Sequence, residues 1–308
     1  MREPAQMRAC TWIFLAILAF AVIQRPSVTL AQGGGAPGGW VTPDYAEPQV
    51  PVARRSSAPR RSMAGTWIPI GRFGTGTQAG GVHLKPNDGR PENQLPYTPF
   101  GLKLYETHKA LEGADAVPPA LGNDPRNLCE PLGMPRVNHY NLNLVQIMQD
   151  DYKVAILYQF DNRWRVIWTD GRQLPTVVEG GAVKLGDEIR EQRFLGYSVG
   201  RWSDDTTLEA VTVGTMPEDR VWLDSTGRPI TDQVRVTERI RRLDSHTIEW
   251  SETIDDPKVY SKPWETMRLP MRLADPRTDV MEYYCSPVEQ QNYNRRFGNS
   301  ASGGAGGR

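Results

Sequence analysis

The stretch that most restricts this chain is residues 234–256, VRVTERIRRLDSHTIEWSETIDD. It reads as two alternating strands joined at Asp244-Ser245-His246, a polar cluster of turn-forming type. Side chains alternate with period two along a strand, so Val234, Val236, Glu238 and Ile240 share one face, and Ile248, Trp250, Glu252 and Ile254 share one face of the next strand. A three-residue turn that pairs Leu243 with Thr247 joins those faces into one surface. Ile240 then stands opposite Trp250, Val236 opposite Ile254, and Glu238 opposite Glu252. A turn of two or four residues would send the apolar sets to opposite sides, so the pattern itself selects the register. Two carboxylates facing each other on an apolar surface need an Arg, a shared proton or a metal. Arg165, Arg239 and Arg268 are the candidates to neutralise Glu238.

The same period-two alternation runs from Leu142 almost to the C-terminus. LNLVQIM, YKVAILYQF and RWRVIWT form a meander with Asp150-Asp151 and Asp161-Asn162 at the turns. With two-residue turns Tyr158 faces Arg165 and Ile156 faces Ile167. Strands YSVGRW and TLEAVTV turn at Ser203-Asp204-Asp205. A strand over 264–273 contains Pro270, which removes a ladder donor and predicts a bulge or an edge there. A last strand is expected over 279–285, and a short helix near 187–193. Both faces of the meander are apolar, which calls for a covered or closed sheet. Few helices and no βαβ alternation make the fold mainly β. The economical architecture is an antiparallel up-and-down barrel, lipocalin-like, or a strongly curved sheet, with one N-terminal helix and long covering loops; a two-sheet sandwich is the runner-up. Gly65-Thr66-Trp67 supports it, since a G-x-W often begins lipocalin-type barrels. The helix is expected over 100–111, capped by Thr98 with Pro99 in its first turn, with Leu104, His108 and Leu111 on one face.

Residues 1–31 have the layout of a secretory signal: Arg2 and Arg8 precede an apolar run, followed by small residues near Ala31. Residues 32–62 are rich in Gly, Pro, Ser and Arg and read as a disordered linker, residues 63–285 as a single β domain, and residues 286–308 as a disordered tail. Signal removal takes Cys10 with it and leaves Cys129 and Cys285, an even pair that in an exported chain suggests one disulfide. A periplasmic or secreted protein with no stable membrane span after cleavage is expected.

PYTPFGLKLYE, NDPRNLCEPLGMPR, RVIWTDGR, GYSVGRW with DTTLEAVT, VTERIRRLD and TIDDPKVYSKPW, in that order, resemble a family of uncharacterised exported bacterial proteins. The resemblance spans 65–285 and implies export and one lipocalin-like domain. It transfers no catalytic residue. Relatives in that family often carry Glu at the position of Gln159, Asp at Val211, His at Ile230, and a small apolar residue at Glu252. Glu238 therefore belongs to the shared motif, while its partner Glu252 is particular to this chain.

The 36 basic and 36 acidic side chains balance, so nothing points to nucleic acid. His83, His108, His139 and His246 are scattered, no metal site is expected, and no cofactor-binding or nucleophile-elbow motif is present. Glu238 has two readings, an internal salt bridge or a general acid or base with a raised pKa. Asp170-Gly171-Arg172 ends a strand, where it is an ordinary turn or presents both charges at a barrel mouth. Trp164, Trp168, Trp202, Trp250 and Trp264, with Tyr158 and Tyr197, are core or the lining of a small-molecule site. The sequence thus points to an exported barrel that binds a small apolar or aromatic ligand in its interior through Tyr158, Trp168, Trp202, Trp250 and Trp264. One alternative is a cofactor-independent periplasmic hydrolase, lyase or isomerase using Glu238 with Arg165 or Asp170, with Arg172 a further candidate catalytic residue. Another is an envelope interaction protein that docks through its Arg-rich linker and Gly-rich tail.

Overall fold

The computed structural model describes residues 50–70, 94–113, 115–118, 121–139 and 144–296. The expected signal at 1–31, most of the linker, His83 and the last residues of the tail lie outside them. Thirteen strands and two helices follow in order: β1 (Gly65–Pro69), α1 (Pro99–Thr107), β2 (Val145–Gln149), β3 (Lys153–Tyr158), β4 (Arg163–Trp168), β5 (Thr176–Val177), β6 (Val183–Leu185), β7 (Glu188–Arg190), β8 (Tyr197–Trp202), β9 (Thr207–Val213), β10 (Arg235–Arg242), β11 (Thr247–Asp255), β12 (Trp264–Glu265), β13 (Leu269–Leu273) and α2 (Pro287–Arg296).

The order β10-β9-β8-β4-β3-β2-β1-β13-β11, with β11 returning to β10, closes a nine-stranded barrel. The hairpin β10–β11 has the register selected by its pattern, with Ile240 opposite Trp250, Glu238 opposite Glu252 and Val236 opposite Ile254. Leu243 N donates to Thr247 O at 2.9 Å, which closes the three-residue turn. β12 and β13 pair with successive stretches of the other edge of β11, so the expected strand over 264–273 is interrupted at 266–268. Pro270 follows that break, at the end of the β1–β13 ladder, where its carbonyl still accepts from Ile70 N at 2.8 Å.

One pairing departs from an up-and-down barrel: β4 and β8 are parallel. Parallel neighbours need a crossover. Here residues 169–196 supply it and carry a separate three-stranded sheet, β5-β6-β7. The short helix expected at 187–193 is therefore β7, because Gly186-Asp187 forms a two-residue turn that pairs Leu185 with Glu188.

Register in the meander also differs from expectation. Tyr158 pairs with Arg163, and Arg165 with Ile156. The connection is four residues, 159–162, with Asp161 and Asn162 both at positive φ, in place of a two-residue turn. The shift is two residues, so every side chain keeps its face.

α1 is capped as expected, Gly101 N donating to Thr98 Oγ1 at 3.0 Å, but it ends at Thr107. His108 is drawn away by tertiary contacts: its Nδ1 lies 2.6 Å from Gly227 O and its ring stacks on Trp222 at 4.3 Å. Gly101 is required by a close approach, since a Cβ there would lie 2.2 Å from Val259 O. Of the face expected from Leu104, His108 and Leu111, the first two are half-buried and Leu111 is exposed, as are Phe100 and Leu102 beside it.

Residues 279–285 form no strand. They run as irregular chain tied to the β3–β4 connection by a Tyr283–Phe160 ring contact at 5.2 Å, and to 129 by the Cys129–Cys285 disulfide. The expected tail opens with α2 in place of disordered chain. Residues 50–62, expected as free linker, are laid against the barrel. Arg55 Nη1 donates to Thr247 Oγ1 at 2.6 Å and to Asp244 Oδ2 at 3.1 Å, and Arg61 N donates to Asp205 O at 2.5 Å. Arg242 seals the same end: its guanidinium donates to the carbonyls of Ser62 and Ser245 at 3.0 Å and lies 5.0 Å from the centre of the Trp67 ring.

Candidate functional site

Chemistry concentrates in two places, one inside the barrel wall and one outside it. Inside, alternation on β10 and β11 turns Glu238 and Glu252 inward, where they are exposed by 0 % and 1 %. The neutralising arginine is Arg165 of β4, whose Nη2 donates to Glu238 Oε2 at 2.6 Å. Arg239 alternates outward to solvent, and Arg268 pairs with Glu249 at 3.1 Å on the outer face. Trp250 Nε1 donates to Glu238 Oε1 at 3.2 Å.

The remaining members come from a short 3-10 turn, Arg136–His139, in the loop that covers the barrel. Asn138 Nδ2 donates to Glu252 Oε1 at 2.6 Å and to Glu238 Oε1 at 3.0 Å, bridging the two carboxylates. Tyr158 Oη donates to Asn138 Oδ1 at 2.7 Å, which fixes which way that amide points. His139 Nε2 lies 2.6 Å from Glu252 Oε2. The turn is itself held by a buried Arg136–Asp124 pair at 2.6 Å.

Burial pushes the pKa of Glu238 above the ordinary carboxylate value; Arg165 opposes this, and Glu252 opposite adds to it. Burial likewise raises Tyr158. Burial works against the charge on Arg165, but Glu238, Tyr158 and Glu252 together outweigh it, so its pKa is raised and it stays charged. The cluster therefore holds an acid with raised proton affinity, a phenol, an imidazole and a fixed cation. It is deeply buried: Ile156, Ile167, Leu208, Ala210, Val236, Ile240 and Ile254 on the same inner side are all exposed by 0 %.

Outside, the opposite face of β4 and β8 borders a cleft of about 750 Å³. Alternation on β4 puts Trp164 and Trp168 there, and alternation on β8 puts Tyr197 and Val199 there. The crossover supplies the far wall with Pro175, Leu185, Phe194 and Leu195. Trp164 is 66 % exposed. Arg172 lies 3.5 Å over the Trp168 ring and Arg193 4.2 Å over the Tyr197 ring.

Set against models of known families, curated proteins and solved structures, the chain matches none. Function must be read from these two sites.

The structure separates residues that the sequence grouped. Glu238 and Arg165 meet. Asp170 and Arg172 do not join them: they pair with each other at 2.6 Å on a turn at the surface, where the short D-G-R connection lets Arg172 fold back on its own aspartate. Tyr158 and Trp250 belong to the buried cluster. Trp264 is buried edge-on to Tyr260 at 5.6 Å. Trp202 is half-buried on β8, its side chain on the inner side with Leu208 of β9 opposite it. Of the five aromatic residues expected to bind ligand, Trp168 is the one that lines the cleft. Among the described residues no group of three His, Cys, Asp or Glu side chains is arranged to hold a metal ion.

Asn138 and His139 were missed as members of the cluster. The adjacent amide and imidazole in the covering loop were the available signal. Arg193 and Phe194 were missed because the crossover that presents them carries no strong periodic pattern.

Proposed function

We propose that this is an exported binding protein that takes a small aromatic or apolar molecule in the cleft on the outer wall of β4 and β8. One observation carries the reading: a concave site of about 750 Å³ walled by Trp164, Trp168, Tyr197 and Phe194, within the size range of small-molecule sites. Trp164, 66 % exposed on the outward face of β4, has no packing reason to be there, whereas a flat ligand would bury it. Export is supported by the signal-like N-terminus and by the Cys129–Cys285 bond, which persists in oxidising compartments. The fully buried apolar side chains on the inner face favour the wall of the barrel over its interior as the place for the ligand.

Native mass spectrometry of protein purified gently from its own source tests this. A retained small molecule is expected, and Trp164→Ala should release it without loss of fold because that side chain is largely exposed. A clean apo mass, together with no binding of naphthalene-sized probes by calorimetry, would remove the reading.

A cofactor-independent hydrolase, lyase or isomerase centred on Glu238 is the second reading, favoured by the raised proton affinity of that acid beside Tyr158 and His139. It requires the covering turn at 136–139 to open, and it no longer includes Asp170.

A further inference from the structure

Of the side chains that line the outer cleft, Arg163, Arg165, Arg172 and Arg193 are cationic and none is Asp or Glu. In a chain with equal numbers of acidic and basic side chains, that asymmetry is local to this site. The four arginines are not equivalent. Arg165 turns its guanidinium inward to Glu238 and is spent there. Arg163 and Arg172 are answered by carboxylates of their own turns, Asp161 at 2.8 Å and Asp170 at 2.6 Å, and Arg172 lies 3.5 Å over the Trp168 ring. Arg193 is exposed, lies over the Tyr197 ring, and has no ion pair among the described residues. Its backbone is fixed by the Arg193 N to Gly214 O bond at 3.0 Å, so the side chain starts from an anchored point beside the aromatic walls.

We infer that the ligand is an aromatic acid, its ring against Trp164, Trp168 and Tyr197 and its carboxylate on the guanidinium of Arg193. This rests on the proposed function of the cleft and narrows it. A planar guanidinium held 4.2 Å over an aromatic ring keeps N–H groups for a carboxylate, which it can meet in the fork geometry that gives paired charge-assisted hydrogen bonds. The ring beneath it limits the rotamers that must be frozen when the anion arrives. A neutral isostere keeps the stacking and loses those bonds. The absence of any carboxylate from the lining removes the repulsion that an acidic ligand would otherwise meet.

Isothermal titration calorimetry with 2-naphthoate and with 2-naphthalenemethanol, which has the same ring without the charge, tests the inference on the full mature chain. Wild type should bind the acid roughly tenfold or more tightly than the alcohol, the range for a charge-assisted pair at a partly exposed site. Arg193→Gln should bring the ratio close to one, and raising sodium chloride should weaken the acid more than the alcohol. Equal affinities in wild type, or a ratio that survives Arg193→Gln, would overturn the assignment of charge while leaving the aromatic cleft intact. If neither compound binds, and Trp164→Ala changes nothing, the cleft reading falls and this inference falls with it.

Discussion

Glu238 is the residue on which the interior turns. A lone ionised carboxylate at 0 % exposure would cost several kcal/mol, and two facing each other would cost more, so the barrel can hold this pair only because Arg165, Asn138 and His139 reach it. Removing the cation should show the cost directly: Arg165→Met should destabilise by about 3 to 5 kcal/mol in urea unfolding, the range for breaking a buried pair from one side. The proton affinity of Glu238 adds a pH signature. A carboxyl whose folded pKa lies above its unfolded value binds a proton more tightly in the native state. Stability is then greatest below the unfolded value of 4.5 and falls as pH rises toward the folded pKa. Glu238→Gln should flatten that fall above pH 4.5, read as the slope of unfolding free energy against pH. An unchanged slope would mean that another group carries it.

At the scale of elements, the C-terminal segment is held by few contacts and one covalent bond. Residues 274–286 pack through Ala274 and Val280 against Ile68 and Leu144 on the outside of β1 and β2, and through Tyr283 against Phe160. The Cys129–Cys285 bond spans 156 residues, and a closed loop of that length removes unfolded-state entropy equivalent to about 5 kcal/mol on the chain-entropy model. The double variant Cys129→Ser with Cys285→Ser should lose a large part of that stability. It should also become sensitive to limited proteolysis first between 274 and 296. Cleavage beginning inside the barrel strands would contradict this placement of the bond's effect.

Over the whole molecule the barrel and the crossover differ in how they are held. Strands β3, β9, β10 and β11 have neighbours on both edges and 0 % exposed side chains between them. The β5-β6-β7 sheet has two free edges and strands of two or three residues, and Leu185 and Ile189 on it are exposed. Amide exchange should therefore be slowest in β10 and β11 and faster by orders of magnitude in β5 to β7, because local opening there breaks few bonds and exposes little apolar area. A binding-site wall made of the less stable part suits a cleft that must admit its ligand. A bound aromatic acid should slow exchange across 172–195 selectively.

The hairpin at 234–256 was legible in the sequence because period two, an apolar face and a polar turn leave a single register that buries everything apolar. The capped start of α1, the closed β architecture and the pairing of the two cysteines followed from similarly local rules. What the sequence left open was decided by contacts distant in the chain. The parallel β4–β8 pair depends on how 28 residues of weak pattern cross over, which no local periodicity encodes. The four-residue turn at 159–162 depends on Asp161 and Asn162 accepting positive φ, and it moved the register without changing any face. The partner of Glu238 sits 73 residues away in sequence and the bridging amide 100 residues away. Alternation could say that Glu238 points inward. Only closure of the barrel could say that Arg165 meets it there, and that the aromatic side chains on the other face of the same strand look out into a cleft.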